Sequence, residues 1–432
     1  MEYCLKGRGF KALILFVALA VCTLSATAKE VTIGKLKYKV NTTDKIAKCT
    51  GLAEEATKNY NLEIPSTVEY GGVKLKVTTV EKGAFRWDNY LRKVTLSDYT
   101  ETIGANAFSE CDYMSVVSLG NKLKEIGTEA FAHCGNGGTF TSVTLPATVE
   151  TINDHAFTDC RYLTIVSIGK KIKTIGDHAF WNCQALKSIT LPGSLQSVGE
   201  SAFACCDSLN EVTFENGDSN TVIGAKCFDN VKSLTILNFY GPGVVEIGES
   251  AFIGCSIQWL ALPSSVRNIG VGAFCGNNLT LLDLPEGLKT IGNFAFCDQY
   301  GSGIRALTIP STVNSIGLKA FNNIGDLEAV NCNATTPPAL GENAFDKKTL
   351  ENTFLMVPPA SVNKYVAASG WKEFLHINNV ETSVKEIEAV GTGEKDTEEW
   401  FDMSGNRLAS SPSAPGIYII RRGGQIEKRM VK

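Results

Sequence analysis

Ile175-Gly176-Asp177-His178-Ala179-Phe180 is one copy of a phrase that the chain writes twelve times. The phenylalanines of the phrase stand at 85, 108, 131, 157, 180, 203, 228, 252, 274, 296, 321 and 345, spaced 22 to 26 residues apart. A period of that length marks a solenoid, whose units bury their apolar faces only against their neighbours. Working outward from the phenylalanine, the residue five places earlier is aliphatic in every unit, from Val80 through Ile175 to Leu340. The next position is glycine in ten units, with Asn153 and Glu81 in the other two. Glycine with an occasional asparagine predicts a turn at positive φ. The residue before each phenylalanine is alanine, or Cys227 in one unit, so a small side chain must face a tight space. The phenylalanine itself is expected to stack coil upon coil in the interior.

About eleven residues after most of these phenylalanines comes a stretch such as Val143-Thr144-Leu145-Pro146 or Ile189-Thr190-Leu191-Pro192. Alternating apolar positions over so few residues predict a short half-buried strand. A proline at its end is tolerated because no ladder donor is needed there. One such strand per coil builds a parallel sheet on one face, with tight turns and short helical or 3-10 segments on the other side. Two units are stretched, at His133–Phe140 and Gln299–Gly303, and these glycine-rich insertions belong on the turn side.

The phrase Ala-Phe-x-x-Cys…Leu-x-x-Val-Thr-Leu-Pro…Ile-Gly, as it runs from Ala179 through Leu191 to Gly199, resembles the BspA-like class of leucine-rich repeats. The resemblance covers about residues 62–345. It implies a leucine-rich-repeat solenoid, and it implies a bacterial surface protein that adheres to host proteins such as fibronectin or to other bacteria.

The ends differ from the middle. Residues 1–28 read as a secretory signal: Lys6, Arg8 and Lys11 are followed by an apolar run from Ala12 to Leu24 and by small residues at Ala26 and Ala28. The run is too short to span a bilayer. Cys22 raises a lipoprotein reading, against which Val21 is bulky for that cleavage. Residues 29–75 form a degenerate unit, with Leu62-Glu63-Ile64-Pro65 mimicking the strand, and read as an N-terminal capping repeat. The solenoid takes 76–345. A C-terminal cap takes 346–380, with Phe354-Leu355-Met356-Val357 as a last strand and a short helix from Ser361, at its N-cap, to Gly370. Trp371 and Phe374 would close the last coil. Residues 381–398 are rich in Glu, Lys, Thr and Gly and read as a linker. Residues 399–432 read as a small β-hairpin module, which resembles the C-terminal sorting domains of the type IX secretion route of Bacteroidota.

The chemistry that composition allows is sparse. A net charge of −4 argues against nucleic acid as a partner. No later segment is apolar enough for a membrane span. Of the 14 cysteines, Cys111, Cys134, Cys160, Cys183, Cys206 and Cys255 all lie three residues after the repeat phenylalanine. Such placement predicts buried, mostly unpaired thiols acting as small apolar residues. His155 and His178 share a column, each preceded by an aspartate. Stacked His and Asp would suit a metal, but the column otherwise holds Gly83, Lys226, Phe294 and other unrelated residues, so it reads as an exposed turn without metal. No phosphate-binding loop, nucleophile elbow or paired carboxylate motif is recognisable, so neither an enzyme nor a cofactor is expected.

One surface stands out. The strand position that should face outward reads Lys93, Val116, Ser142, Ile165, Ser188, Glu211, Ile236, Trp259, Leu281 and Ala306. Ile236, Trp259 and Leu281 are consecutive, and an exposed apolar strip centred on a tryptophan is a binding-site candidate. Tyr90 and Tyr113, expected to stack near an edge, form a second candidate. The turn loops vary in length and are expected to lack a shared aromatic column. The expected partner is an extracellular protein or glycan, met at the cell surface or after secretion. A structural envelope scaffold is the alternative.

Overall fold

The computed structural model describes residues 28–300, 303–377, 399–401, 407–408, 410–412, 416–422 and 425–431. The signal segment, the linker at 381–398 and part of the Gln299–Gly303 insertion lie outside them. The chain winds as a β-solenoid of about 13 turns. Its core is a column of phenylalanines: from Phe85 to Phe345 successive rings lie 5.0–5.5 Å apart, centroid to centroid. Their planes are within 16° of parallel, an offset stack that aromatic quadrupoles favour over a direct sandwich.

Each coil carries two strands rather than the one expected. The aliphatic residue of the phrase pairs in parallel with its counterpart above and below, as Ile126 does with Ile103 and Ile152. These two- to four-residue strands join in one uninterrupted run from Val73–Val80 to Ala339–Leu340. The anticipated strands, such as Ile165–Ser167 and Ser188–Leu191, form the second face but split into shorter sheets of two to four strands. Two residues are too few to show a period of two, so the longest sheet of the molecule left no alternation in the sequence.

The arc around the phenylalanine is built of turns from Phe85 to Phe321, and a short helix of the kind expected there, Lys347–Asn352, follows only Phe345 among the described residues. The repeated glycine is not left-handed. Its role is close approach: a Cβ at Gly199 would lie 2.4 Å from the Asp177 carboxylate and 2.5 Å from the Asp177 backbone nitrogen. Positive φ falls instead two residues before every phenylalanine and two residues after all but Phe345, as at His178 and Asn182 flanking Phe180. This geometry sends the N–H groups of His178, Phe180 and Asn182 to the carbonyls of Glu200, Ala202 and Ala204 in the next coil, at 2.8–3.0 Å. The arc is thereby satisfied without helix or strand, at about 1–2 kcal/mol for each non-glycine residue held left-handed.

Both ends of the stack are closed. At the start, Lys29–Ile33, Leu36–Asn41 and Ile46–Leu52 form an antiparallel meander whose last strand pairs in parallel with Val73–Val80. The strand around Leu62 spans Tyr60–Glu63 and pairs with Leu91–Thr95. At the far end Trp371 is fully buried and donates its indole N–H to the Pro338 carbonyl at 2.8 Å. Phe374 meets Phe345 edge-on at 5.3 Å, which ends the stack. The helix there spans Val362–Ala367. Ser361 stands at its N-cap position but makes no capping bond; its hydroxyl donates to the Thr335 carbonyl at 2.9 Å instead. One further strand, His376–Ile377, follows Phe354–Met356. Beyond, Glu399–Phe401, Arg407–Leu408, Gly416–Arg422 and Gln425–Val431 make a four-stranded antiparallel sheet.

Candidate binding surfaces

Strand alternation decides which residues the second face presents. In Ile165-Val166-Ser167 the valine turns inward and is buried, while its neighbours stand outward. The same holds at Trp259-Leu260-Ala261, where Leu260 is fully buried and Trp259 is 67% exposed. Ile236 is 44% exposed. Leu281, in register with Trp259, is only half-buried by comparison and does not stand as free as expected. The strip is also divided: Ile236 pairs with Glu211 in one short sheet, and Trp259 with Leu281 in the next. Val116 and Ile165 occupy the same outward column and are also exposed, so apolar display on this face begins earlier than the three singled-out residues.

Tyr90 and Tyr113 are both exposed, but no ring contact joins them. The Arg92 guanidinium lies over the Tyr113 ring, 4.8 Å from its centroid. An aromatic column does exist in the turn loops, against expectation. Tyr90, Tyr113 and Tyr162 each lie five residues after a repeat phenylalanine, and all three are exposed. The His133–Phe140 insertion replaces that tyrosine in the intervening coil and runs against the row. A Cβ on Gly137 would fall 2.8 Å from Tyr113 Cδ1, and one on Gly138 would touch Tyr162. The glycines of the insertion therefore let backbone lie on tyrosine rings. Trp87, 63% exposed, stands beside this row and was not singled out by sequence. Its signal was its column: the left-handed position two after phenylalanine otherwise holds Glu, His, Asp, Asn, Cys and Gly.

The cysteine ladder has a specific chemical role. Cys111, Cys134, Cys160, Cys183, Cys206 and Cys255 each direct the thiol at the carbonyl of the preceding coil's phenylalanine, at 3.0–3.3 Å. Burial pushes the Cys160 thiol up to about 12, which keeps it protonated and able to donate. Where the ladder stops, Asn277 and Gln299 take the same column and donate amide N–H to the same carbonyls. Cys275 and Cys297 form a disulfide between adjacent coils, and the other ten cysteines among the described residues are free. Cys205 is only partly buried; its nine free companions are buried.

His155 and His178 stack ring on ring at 4.8 Å. They are half-buried rather than exposed, and each holds a left-handed backbone. Their aspartates act on the backbone: Asp154 accepts the Asp177 N–H and Asp177 accepts the Glu200 N–H. Among the described residues the one group of three potential metal ligands close together is Cys275, Cys297 and Asp298, two of which share the disulfide. No described helix is long and apolar enough to cross a membrane.

No curated protein sequence matches the chain. Among solved structures it is similar to the pneumococcal vaccine antigen PcpA, at 18% identity and a TM-score of 0.46, over 79% of this chain and 96% of that one. A leucine-rich repeat protein from Bacteroides ovatus shares 21% identity at a TM-score of 0.36, over 78% and 96% of the two chains. A leucine rich cell surface protein from Faecalibacterium prausnitzii shares 21% at 0.30, over 70% and 94%. The BspA type leucine rich repeat region matches in six copies across residues 78–141, 135–244 and 245–367, well over half of the sequence. The chain belongs to the BspA-type leucine-rich repeat family.

Proposed function

We propose that this protein is exported, stands at the cell surface or in the surrounding medium, and attaches to an extracellular protein or glycan through the outward face of its short strands. The observation that carries the reading is Trp259, 67% exposed on a rigid strand whose next residue, Leu260, is fully buried. A solvated tryptophan on a fixed backbone gains area and loses little side-chain freedom when a partner covers it. Ile236 and Leu281 on neighbouring coils would extend that contact. The basic start, apolar run and small residues of the first 28 positions support export, and the antiparallel sheet at 399–431 is the segment that would serve as a sorting module. The family supports a binding scaffold and not an enzyme.

A pull-down of matrix proteins and glycans with residues 29–432 tests the reading. Trp259→Ala should weaken attachment to the captured partner by about 2 kcal/mol or more, as central tryptophan anchors commonly do. Unchanged attachment would remove this face as the site. Capture of no partner at all would favour an envelope scaffold.

A further inference from the structure

Trp87 is the largest residue in its left-handed column, with φ of 62°. The same column holds asparagine at 182, 230 and 323 and glycine at 254 and 276, besides Glu110, His133, Asp159, Cys205 and Asp298. A large side chain pays a steric penalty there that asparagine and glycine largely avoid, and strain of this kind collects at functional positions. Nothing in the packing requires the indole, because it is 63% exposed. One of its faces is covered by the Arg86 guanidinium, 4.1 Å from the ring.

The indole opens onto a cleft of about 950 Å³ between the N-terminal cap and the first coils, which Tyr90, Tyr113 and Arg92 also line. That size suits a small organic ligand. The cleft is held firmly. Asp88 accepts hydrogen bonds from the Tyr60 hydroxyl and from the N–H groups of Tyr90 and Leu91, while Arg92 bonds Asn59 and lies over Tyr113. Other polar groups at its rim, Glu55, Asn89 and Lys37, are exposed and make no side-chain hydrogen bond among the described residues. They offer acceptors and donors of both kinds with no strong excess of either charge.

We propose that this cleft binds a neutral oligosaccharide of β-1,4-linked pyranoses in the gluco configuration, with Trp87 as the stacking platform and Tyr90 extending it. Such a sugar presents flat faces of axial C–H bonds to aromatic rings and a girdle of equatorial hydroxyls to groups that both donate and accept. Flat apolar surface edged by mixed polar side chains is what the cleft supplies. This site is separate from the strand face around Trp259 and stands or falls independently of it.

The test uses residues 29–432 with cellotetraose and tri-N-acetylchitotriose as probes, read by saturation-transfer NMR and by quenching of indole fluorescence. At least one probe should bind at millimolar concentration or better, with the strongest saturation on the axial protons of its rings. Trp87→Asn, which suits the left-handed backbone and should leave melting unchanged, should weaken that binding more than tenfold. Trp259→Ala should leave it intact. Failure of both probes to bind, binding that survives Trp87→Asn, or binding lost equally in Trp259→Ala would each overturn the proposal.

Discussion

Phe180, in the arc of its coil, lies 5.1 and 5.2 Å from the rings of Phe157 and Phe203 and exposes no surface. Ile165, on the strand half of the preceding coil, is 59% exposed and faces Ser142 as its register partner. Both positions recur in every coil, yet one column admits only phenylalanine and the other admits Lys93, Ser188, Glu211 and Trp259. The difference lies in what surrounds each side chain. In the arc the neighbour is always another copy of the same arc, so a residue must fit itself one coil spacing away. On the strand face the neighbour is water or a partner, and the column is free to vary.

The largest effect should come from breaking the ring stack. Phe180→Ala should lower the unfolding free energy by about 3–5 kcal/mol in denaturant titration, the usual result for a buried phenylalanine. A loss under about 1 kcal/mol would take Phe180 out of the stack. Next comes the glycine column. Gly199→Ala puts a methyl group within 2.4–2.5 Å of Asp177 and Gly176, and two coils must part to admit it. The expected cost is about 1–3 kcal/mol, as for other overpacked sites. A tolerated alanine would mean that the coils are spaced more widely than the phenylalanine stack implies.

The donor column tests whether a hydrogen bond, rather than size, is being kept. Asn277 is fully buried, donates to the Phe252 and Phe274 carbonyls, and accepts the Ile257 N–H. Asn277→Ala strands those partners and should cost about 1–3 kcal/mol. Cys183→Ala removes one weaker thiol bond to the Phe157 carbonyl and should cost less, about 1 kcal/mol. Equal losses in the two variants would show that volume alone governs the column.

How much of this was legible follows the same division. The period and the phenylalanine column were readable, because each depends on residue type at fixed spacing. The reason for glycine was misassigned to positive φ, because a clash between backbones 23 residues apart leaves no local mark. The left-handed positions carried His155, Ser201 and Lys226, types with no strong turn signature, so the arc's true geometry was hidden. The sheet-face candidates were visible from alternation alone. Trp87 and Tyr162 are legible only along their columns, not within a single coil.

The smallest effect belongs to the outward face, and adjacent residues expose it best. Val166 points inward and is 7% exposed, whereas Ile165 points out. Val166→Thr keeps the shape and places a hydroxyl in the core, at an expected cost of about 1–3 kcal/mol. Ile165→Thr keeps the β-branch on a strand whose outward neighbours are already Ser142 and Ser167, so the change should stay within about 0.5 kcal/mol. A one-residue step along the chain thus separates a packing residue from a display residue. If Ile165→Thr proved as costly as Val166→Thr, the exposed isoleucine would be covered by another part of the chain. The strand face around it would then be an internal contact and would lose its standing as a place for a partner.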